Sequence, residues 1–431
     1  MVNDLVDVGN SLPADLSQRA WAGRAAAGSA GSRNIGRMPI YLDHAATTPL
    51  RREAFEAMVP LLTDDFGNPS SVHGYGRRAR AALDEAHERL AAGLGAQPRE
   101  IIFTGGGTEA INLAIKGVAW AGKARGNRLI TSAVEHHAVL HSLRHLEKFG
   151  FDVIMLPVDR YGRLDPEQLD AALNDRTILV SLMMANNEVG TIQPLADLVR
   201  RIRAHRGVLI HLDAVQAAPY LAIDVAELDV DLLALAAHKF EGPKGTGALY
   251  VRHGTILLPQ MHGGSQERYR RAGTENVAGA VGMAVAYGLA RAEQPETAPR
   301  LATLRDRLRD ALSALPNVEL TGHPRRRLPG HLSVIARETD GEALVLNLDL
   351  AGIAASTGSA CTTGSTEPSH VLTALGYPEE ETRGSLRLTL GRTTTEQEIA
   401  QAVSIVPETI SRLRAATQAL ALDPLGEQVG A

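Results

Sequence analysis

The sequence predicts an α/β protein: a large domain with a mainly parallel central sheet and a smaller α+β domain. From residue 40 onward, short apolar runs alternate with longer amphipathic stretches, the pattern of strands separated by helices. The runs are continuous in Val, Ile and Leu, as expected for strands covered on both faces. After about residue 290 the pattern changes to a helical stretch followed by two separated strands.

Each element is predicted from its own segment. Apolar runs predict strands at residues 101–103, 128–131, 153–156, 177–183, 208–212, 232–235 and 248–251. Amphipathic stretches predict helices, of which the clearest lie at 109–120 and 138–148. In the second domain we expect a helix around 300–315 and strands at 331–335 and 385–389.

The first 37 residues differ from the rest of the chain. They are rich in Ala, Gly, Ser and Arg, so we expect a poorly ordered, dispensable extension with an alternative translation start at Met38. The acidic residues Asp4, Asp7 and Asp15 argue against an organelle-targeting peptide. The expected division of the chain is an extension over 1–37, a start of the fold over 38–50 that contributes to the small domain, a large cofactor-binding domain over 51–290 and a small C-terminal domain over 291–431.

Composition limits the class of protein. The chain is 44% hydrophobic and 22% charged, which suits a globular protein with a large core. A net charge of −5 and the lack of a bilayer-length apolar run argue against direct nucleic-acid binding and against a membrane protein. A single cysteine excludes an internal disulfide, and no apolar signal core is visible, so we expect a cytoplasmic location.

That single cysteine, Cys361, lies among small polar residues at 356–365. A cysteine kept for packing usually has aliphatic neighbours, whereas a thiol on a Gly/Ser/Thr loop is accessible. From this loop alone, a reactive thiol and a surface cysteine without a task are equally open.

Loops after three predicted strands indicate a cofactor site. Residues 101–109 form a strand, a glycine turn and a helix start, where a threonine cap and backbone N–H groups would face a phosphate. Asp213 ends one apolar run, and Lys239 follows the next. These two residues could form a simple ion pair. Together with the turn, they also fit pyridoxal phosphate, with lysine as its amine partner and aspartate against its pyridinium nitrogen.

Further motifs support a family resemblance. They are YLDHAATTP at 41–49, GNPSSVH at 67–73, EHHAVL at 135–140, NNEVGT at 186–191, RAGTEN at 271–276 and the cysteine segment running on to EPSH at 367–370. Over about residues 40–400 the chain resembles the NifS/IscS-like cysteine desulfurases of the class-V aminotransferase family. The resemblance implies the fold of type I pyridoxal phosphate enzymes, conversion of L-cysteine to L-alanine, and sulfur supply for iron–sulfur cluster assembly and tRNA thiolation.

The resemblance also implies cofactor-binding roles. Lys239 would hold the cofactor covalently and later take the substrate α-proton. Asp213 would pair with the ring nitrogen, and Gln216 would donate to the ring oxygen. His136 would stack on the ring and help to move protons; the alternative is a histidine that merely ends a helix. The other implied contacts are Gly107, Thr108, Asn187, His238 and, from the neighbouring subunit of a homodimer, Thr274.

For the substrate, Arg387 matches the family arginine that binds the cysteine carboxylate, with Asn187 assisting. Arg392 is a nearby candidate that we expect to be a structural ion-pair partner. His44 and His73 belong to matched motifs, and we assign them no chemical step.

By the same resemblance, Cys361 as thiolate would attack the substrate sulfur and become a persulfide. Glycines at 358 and 364 would let its loop travel between substrate and acceptor. The acceptor would be an iron–sulfur scaffold, a tRNA thiolation enzyme or a DNA-modification partner. We expect no stand-alone metal site, although Cys361 could transiently ligate a cluster on a bound scaffold.

One position departs from the family pattern: Ala236 stands where many relatives have a serine that hydrogen-bonds the phosphate. Two other functions stay open. A class-V aminotransferase or a selenocysteine lyase would share Lys239 and Asp213 without needing Cys361 for sulfur release. A non-catalytic scaffold of cluster assembly would retain the fold without the cofactor.

Overall fold

The structure, a computed structural model, describes residues 39–358 and 368–422. The expected extension over 1–37, the alternative start Met38 and the thiol of Cys361 lie outside the described residues. No helix among the described residues is long and apolar enough to cross a membrane.

After the short strand β1 (Ile40–Tyr41), seven strands form the central sheet. They are β2 (Ile101–Thr104), β3 (Arg128–Ser132), β4 (Asp152–Leu156), β5 (Thr177–Met183), β6 (Leu209–Asp213), β7 (Leu232–Ala236) and β8 (Gly247–Val251). Their spatial order is β2-β8-β7-β6-β5-β3-β4. Pairing is parallel from β4 through β7, whereas β8 is antiparallel to β7 and β2. The predicted, mainly parallel sheet is confirmed.

The exception at β8 has a simple cause. Only residues 237–246 connect β7 to β8, and a parallel connection needs a crossover of about a dozen residues or more. The chain therefore turns back and pairs antiparallel.

Helices cover both faces of the central sheet. They are α1 (Arg52–Thr63), α2 (Gly74–Leu94), α3 (Gly107–Gly122), α4 (His137–Glu147), α5 (Pro166–Ala172), α6 (Leu195–Arg203) and α7 (Val277–Ser313). Successive strand residues point to opposite faces, so Ile101 packs in the core with α2 and α6, while Ile102 packs in the core with α3 and α4. This two-sided burial explains the continuous apolar runs of the sequence.

The helix expected around 300–315 is much longer than predicted. It is the C-terminal part of α7, which has 37 residues and includes Pro295 and Pro299. Proline removes a helical hydrogen bond and weakens the local helix signal. The domain boundary expected at residue 290 falls inside this helix and stays a prediction.

A second, antiparallel sheet lies in the C-terminal part of the chain. Its elements and neighbours are β9 (Val318–Leu320), β10 (His331–Ala336), α8 (Gly341–Leu350), β11 (Ile353–Ala354), α9 (His370–Ala374), α10 (Glu379–Thr382), β12 (Ser385–Thr389) and α11 (Glu396–Leu422). The strand order is β12-β10-β9, and β11 pairs with β1 instead. Ile40 and Leu42 pack into the core of this sheet, so the start of the described chain lies against its C-terminal part.

Candidate active site

A cleft of about 940 Å³ opens at the carboxyl ends of the parallel strands, where open α/β sheets bind their ligands. The predicted site residues that line it are Gly107, Thr108, His136, Asn187, Asp213, Gln216, His238, Lys239 and Arg387. Residues more than 100 positions apart in the chain thus meet in one cavity.

One end of the cleft is suited to an anion. Helix α3 begins here, its N-cap is Gly106, and no side chain caps it. The expected threonine cap is wrong, because α3 begins at Gly107 and Thr108 therefore lies inside its first turn. The Thr104 hydroxyl donates to the Gly106 carbonyl oxygen (3.0 Å). A Cβ at Gly107 would lie 2.9 Å from Val215 Cγ2, so glycine alone lets the backbone pass this close. An uncapped helix start with its N–H groups facing a cleft fits a phosphate group.

Asp213 ends β6 beneath the middle of the cleft and is buried. Its Oδ1 accepts a hydrogen bond from Val215 N (2.9 Å). Burial raises the pKa of Asp213 to about 6, while the Val215 N–H and the Lys239 cation lower it. A buried carboxylate is costly without a charged or donating partner, and a protonated pyridine nitrogen supplies one. The donor set therefore fits pyridoxal phosphate.

Lys239 reaches the cleft from the turn after β7. Its Nζ donates to the carbonyl oxygens of Ala45 (2.5 Å) and Ala46 (2.9 Å). Gln216 Nε2 also donates to the Ala45 oxygen (2.8 Å). Sequence reasoning assigned no role to these two carbonyl groups. The only indication of this role in the sequence is that Ala45 and Ala46 lie inside the matched motif at 41–49.

His136 combines the two roles that the sequence left open. Its Nδ1 accepts a hydrogen bond from Ala138 N (3.1 Å) and so caps α4, yet its ring lines the cleft. Burial, and then the Lys239 cation and nearby histidines, lower the pKa of His136 to about 4. The ring is therefore neutral near pH 7. Because Nδ1 is an acceptor, the proton of the neutral ring resides on Nε2.

The position of the missing phosphate hydroxyl also lies in the cleft. Ala236 lines it beside Gly107, and a Cβ on that glycine would lie 3.2 Å from Ala236 Cβ. His238 follows on the same turn, with Nδ1 3.2 Å from Thr47 Oγ1. Burial, followed by nearby lysine cations, lowers the pKa of His238 to about 4. A neutral histidine at this end can still donate one hydrogen bond to a phosphate.

Arg387 lies on β12 at the other end of the cleft and is buried. Its Nη1 donates to the Asn187 carbonyl oxygen (2.9 Å), and its Nη2 pairs with Asp43 Oδ1 (2.9 Å). Its buried Nε makes no hydrogen bond to any described residue. Buried donors are rarely left unpaired, so this N–H is suited to a ligand carboxylate. Sequence reasoning missed Asp43 as the partner of this arginine.

The three residues that we ranked below these have structural contacts. Arg392 Nε pairs with Glu241 (2.8 Å), as expected of a structural ion-pair partner. His73 caps α2 through its Nδ1, and the ring of His44 packs edge-on against Tyr41 (4.9 Å between centroids).

One of the predicted site residues that the structure describes lies elsewhere. Thr274 lines a separate cleft of about 470 Å³, together with Gly105 from the glycine turn, so within one chain it is not part of the main cleft. Cys361 lies outside the described residues, and the nearest described residues are Gly358 and Pro368. Within 39–358 and 368–422, no group of three or more His, Cys, Asp or Glu side chains is arranged to hold a metal ion.

Comparisons with known proteins identify the family of the chain. The family model for aminotransferase class-V matches residues 40–402. A cysteine desulfurase IscS from Methanosarcina thermophila is 50% identical over 375 residues, which is 87% of this chain and 93% of the relative. A solved NifS-like protein has a TM-score of 0.83 at 37% identity, covering 87% of this chain and all of the other. A structure described as SspA in complex with cysteine has a TM-score of 0.73 at 34% identity, covering 83% of this chain and all of that one.

The chain belongs to the class-V aminotransferase family. Within that family it is one of the NifS/IscS-like cysteine desulfurases, which are sulfurtransferases that depend on pyridoxal phosphate.

Proposed function

We propose that the chain takes the sulfur of L-cysteine onto Cys361 as a persulfide and releases L-alanine. The observation that supports this most is the cleft itself, because it joins a turn suited to a phosphate, the residues Asp213 and Lys239, and an arginine whose buried Nε–H has no hydrogen-bond partner among the described residues. The similar SspA structure is described as containing cysteine. Pyridoxal phosphate, when bound, withdraws electrons from the substrate α-carbon.

The chain's own residues then have separate tasks. Arg387 Nε and its Nη2 edge bind the substrate carboxylate, which fixes the orientation of the α-carbon. Lys239 Nζ takes the α-proton, and the carbonyl groups of Ala45 and Ala46 hold this amine at the cleft. His136 is neutral with its proton on Nε2, so it can donate a hydrogen bond from that atom, and it can pass on a proton only after taking one up as the imidazolium.

The atoms of the reaction balance without a further reagent. The bond between the substrate Cβ and its sulfur breaks, and a sulfur–sulfur bond forms to Cys361 Sγ. The Cβ gains a proton and is reduced to the methyl group of alanine, while the two sulfurs are oxidised to a persulfide. A later acceptor takes the terminal sulfur and returns Cys361 to the thiol.

We further propose an iron–sulfur scaffold as the main acceptor, with a tRNA thiolation enzyme as a second acceptor, and a cytoplasmic homodimer as the working form. Large apolar side chains are exposed in two stretches, which supports burial against a second copy. They are Phe55, Leu62, Phe66, Val72 and Tyr75 in one, and Ile256, Leu258, Met261 and Tyr269 in the other. Thr274 follows the second stretch and would reach the phosphate of the partner's cofactor.

The homodimer can be tested by mixing inactive variants. Lys239→Ala and Thr274→Ala chains, each inactive or weak alone, should form mixed dimers in which one site carries both wild-type residues. Recovered activity on mixing supports shared sites. Activity that stays at the sum of the separate variants would contradict them.

The chemistry is tested by Cys361→Ala, with alanine and sulfide measured from L-cysteine. We expect loss of alanine formation, with cofactor absorbance unchanged. Unchanged desulfuration would contradict the persulfide and would favour a lyase that does not use this thiol.

A further inference from the structure

Glu188 is a buried acid that none of the steps above uses. It follows Asn187 in the loop after β5, and its backbone is held on both sides. Asn186 Oδ1 accepts the Glu188 N–H (2.8 Å), and the Glu188 carbonyl oxygen lies 3.0 Å from His331 Nε2. A backbone fixed in this way leaves the side chain little freedom of position.

The carboxyl group of Glu188 meets the described chain just after residue 367. The Ser369 hydroxyl donates to Glu188 Oε2 (2.5 Å). The Ser369 hydroxyl oxygen also accepts the N–H of Leu372 (3.1 Å) and so caps α9. A hydroxyl has one proton, so Ser369 can fill both roles only by donating to Glu188. Both side chains are buried, which protects this hydrogen bond from water.

The same carboxyl group also meets the chain just before residue 359. Gly358 is buried against it, and a Cβ at this position would lie 3.2 Å from Glu188 Oε2. Two residues earlier, Ser356 forms a bridge to the backbone of Arg387, whose N–H donates to the Ser356 oxygen (2.7 Å). This end of the segment is thus attached to the strand that presents the substrate arginine.

The charge of the substrate arginine, Arg387, also acts on the carboxyl group of Glu188. Burial raises the pKa of Glu188 to about 7, while the Ser369 hydrogen bond and the Arg387 cation lower it. A buried ionisable group costs stability unless its partners compensate, and here the partners are the flank of the cysteine segment and the substrate arginine.

We infer that Glu188 is a positioning residue that holds one flank of the Cys361 segment, through Ser369, at the substrate-carboxylate end of the cleft and packs against the other flank at Gly358. The inference rests on the proposed function, in which the Cys361 thiol must approach a bound substrate. The contacts of Glu188 hold the flanks of the segment that carries the thiol against the same elements that bind the substrate. Glu188 acts through Ser369 and Gly358, not on the substrate.

The test compares two steps in the cofactor-loaded enzyme. Exchange of the α-hydrogen of L-alanine in deuterated water needs the cofactor, Lys239 and Arg387 but no thiol. Alanine formation from L-cysteine in a single turnover needs the thiol as well. For Glu188→Ala and Ser369→Ala we expect alanine formation to slow roughly ten- to a hundred-fold, the effect of losing one buried hydrogen bond to a charged group, with the exchange rate changed by less than about two-fold.

Glu188→Gln is the matched control, since its amide oxygen can still accept the Ser369 hydrogen bond. It should retain most of the rate of alanine formation, while cofactor absorbance and melting temperature report on folding in every variant. Wild-type rates of alanine formation in Ser369→Ala and Glu188→Ala would overturn the inference. A parallel fall of exchange and alanine formation would also overturn it, because Glu188 would then support the substrate clamp itself. If Cys361→Ala leaves desulfuration intact, the proposed function fails instead, whatever the Glu188 variants do.

Discussion

The two ends of the cleft are built in different ways. At the cofactor end, Gly107, Asp213 and Lys239 each lie at or just after the end of a strand of one sheet, so the sheet itself sets their spacing. At the substrate end, Arg387 belongs to the second sheet and contacts Asn187 and Asp43 from two distant segments. The first end depends on local structure, whereas the second depends on how separate parts of the chain pack. Variants at the two ends should therefore fail in separable ways.

The largest effect is expected from Lys239→Ala, which removes the amine that both holds the cofactor and takes the α-proton. Alanine formation from L-cysteine should fall by at least about a thousand-fold, and the absorbance of bound cofactor should change. Lys239→Arg is the control, since it keeps a cation near the Ala45 and Ala46 carbonyl groups and should be as inactive. Activity in either variant would show that another amine fills this role.

Arg387→Gln tests whether the substrate end is separate. The loss of a buried charged pair with the substrate should lower kcat/KM for L-cysteine by about thirty- to a thousand-fold, while the cofactor stays bound. Arg387→Lys keeps the charge but loses the planar fork, so its kcat/KM for L-cysteine should lie between those of Arg387→Gln and the wild type. Titration of each variant with the cofactor measures whether its cofactor affinity is unchanged. Loss of cofactor in Arg387→Gln would mean that the two ends are not independent.

Ala236→Ser sharpens the comparison at the cofactor end. The added hydroxyl lies beside Gly107 and can donate to the phosphate, so cofactor affinity should rise by about ten-fold. The KM for L-cysteine should not change. Ala236→Gly, which adds no hydroxyl, should not bind the cofactor more tightly. An unchanged cofactor affinity in Ala236→Ser would show that a neighbouring group already makes this hydrogen bond to the phosphate.

The smallest effect on activity is expected from Glu135→Gln. Glu135 is buried beside His136 and accepts hydrogen bonds from Ser132 and from Met183 N. Burial raises the pKa of Glu135 from 4.5 to about 8, against the lowering effect of these two donors. Between those values the folded protein binds a proton that the unfolded chain does not, so the free energy of unfolding falls as the pH rises.

Glu135→Gln removes this ionisable carboxyl group. The free energy of unfolding, measured with urea from pH 5 to 9, should therefore depend less steeply on pH than in the wild type. Activity should stay near the wild-type level. An identical pH dependence in the two proteins would mean that Glu135 is ionised in the folded state across this range.

The same contrast explains what the sequence could predict. All seven strands of the central sheet were predicted. The inner strands are buried on both faces and leave a continuous apolar run such as 177–183, and the edge strand β4 is also apolar although it is partly exposed. Asp213 and Lys239 were placed at one cleft because each follows such a run. The pairing of Arg387 with Asp43, and the contact of Glu188 with Ser369, join residues more than 150 positions apart and leave no local pattern. For His136, sequence reasoning gave helix capping only as the alternative to stacking on the cofactor ring.

The most direct test of the central claim is the mass of the protein after one turnover with L-cysteine in the absence of reductant. Cys361 is the only cysteine, so the sulfur can be assigned without ambiguity. We expect the mass of one added sulfur atom, located on the peptide that contains Cys361, in a yield equal to that of alanine. Alanine formed in full yield while Cys361 stays unmodified and the sulfur appears in solution as elemental sulfur would contradict the account.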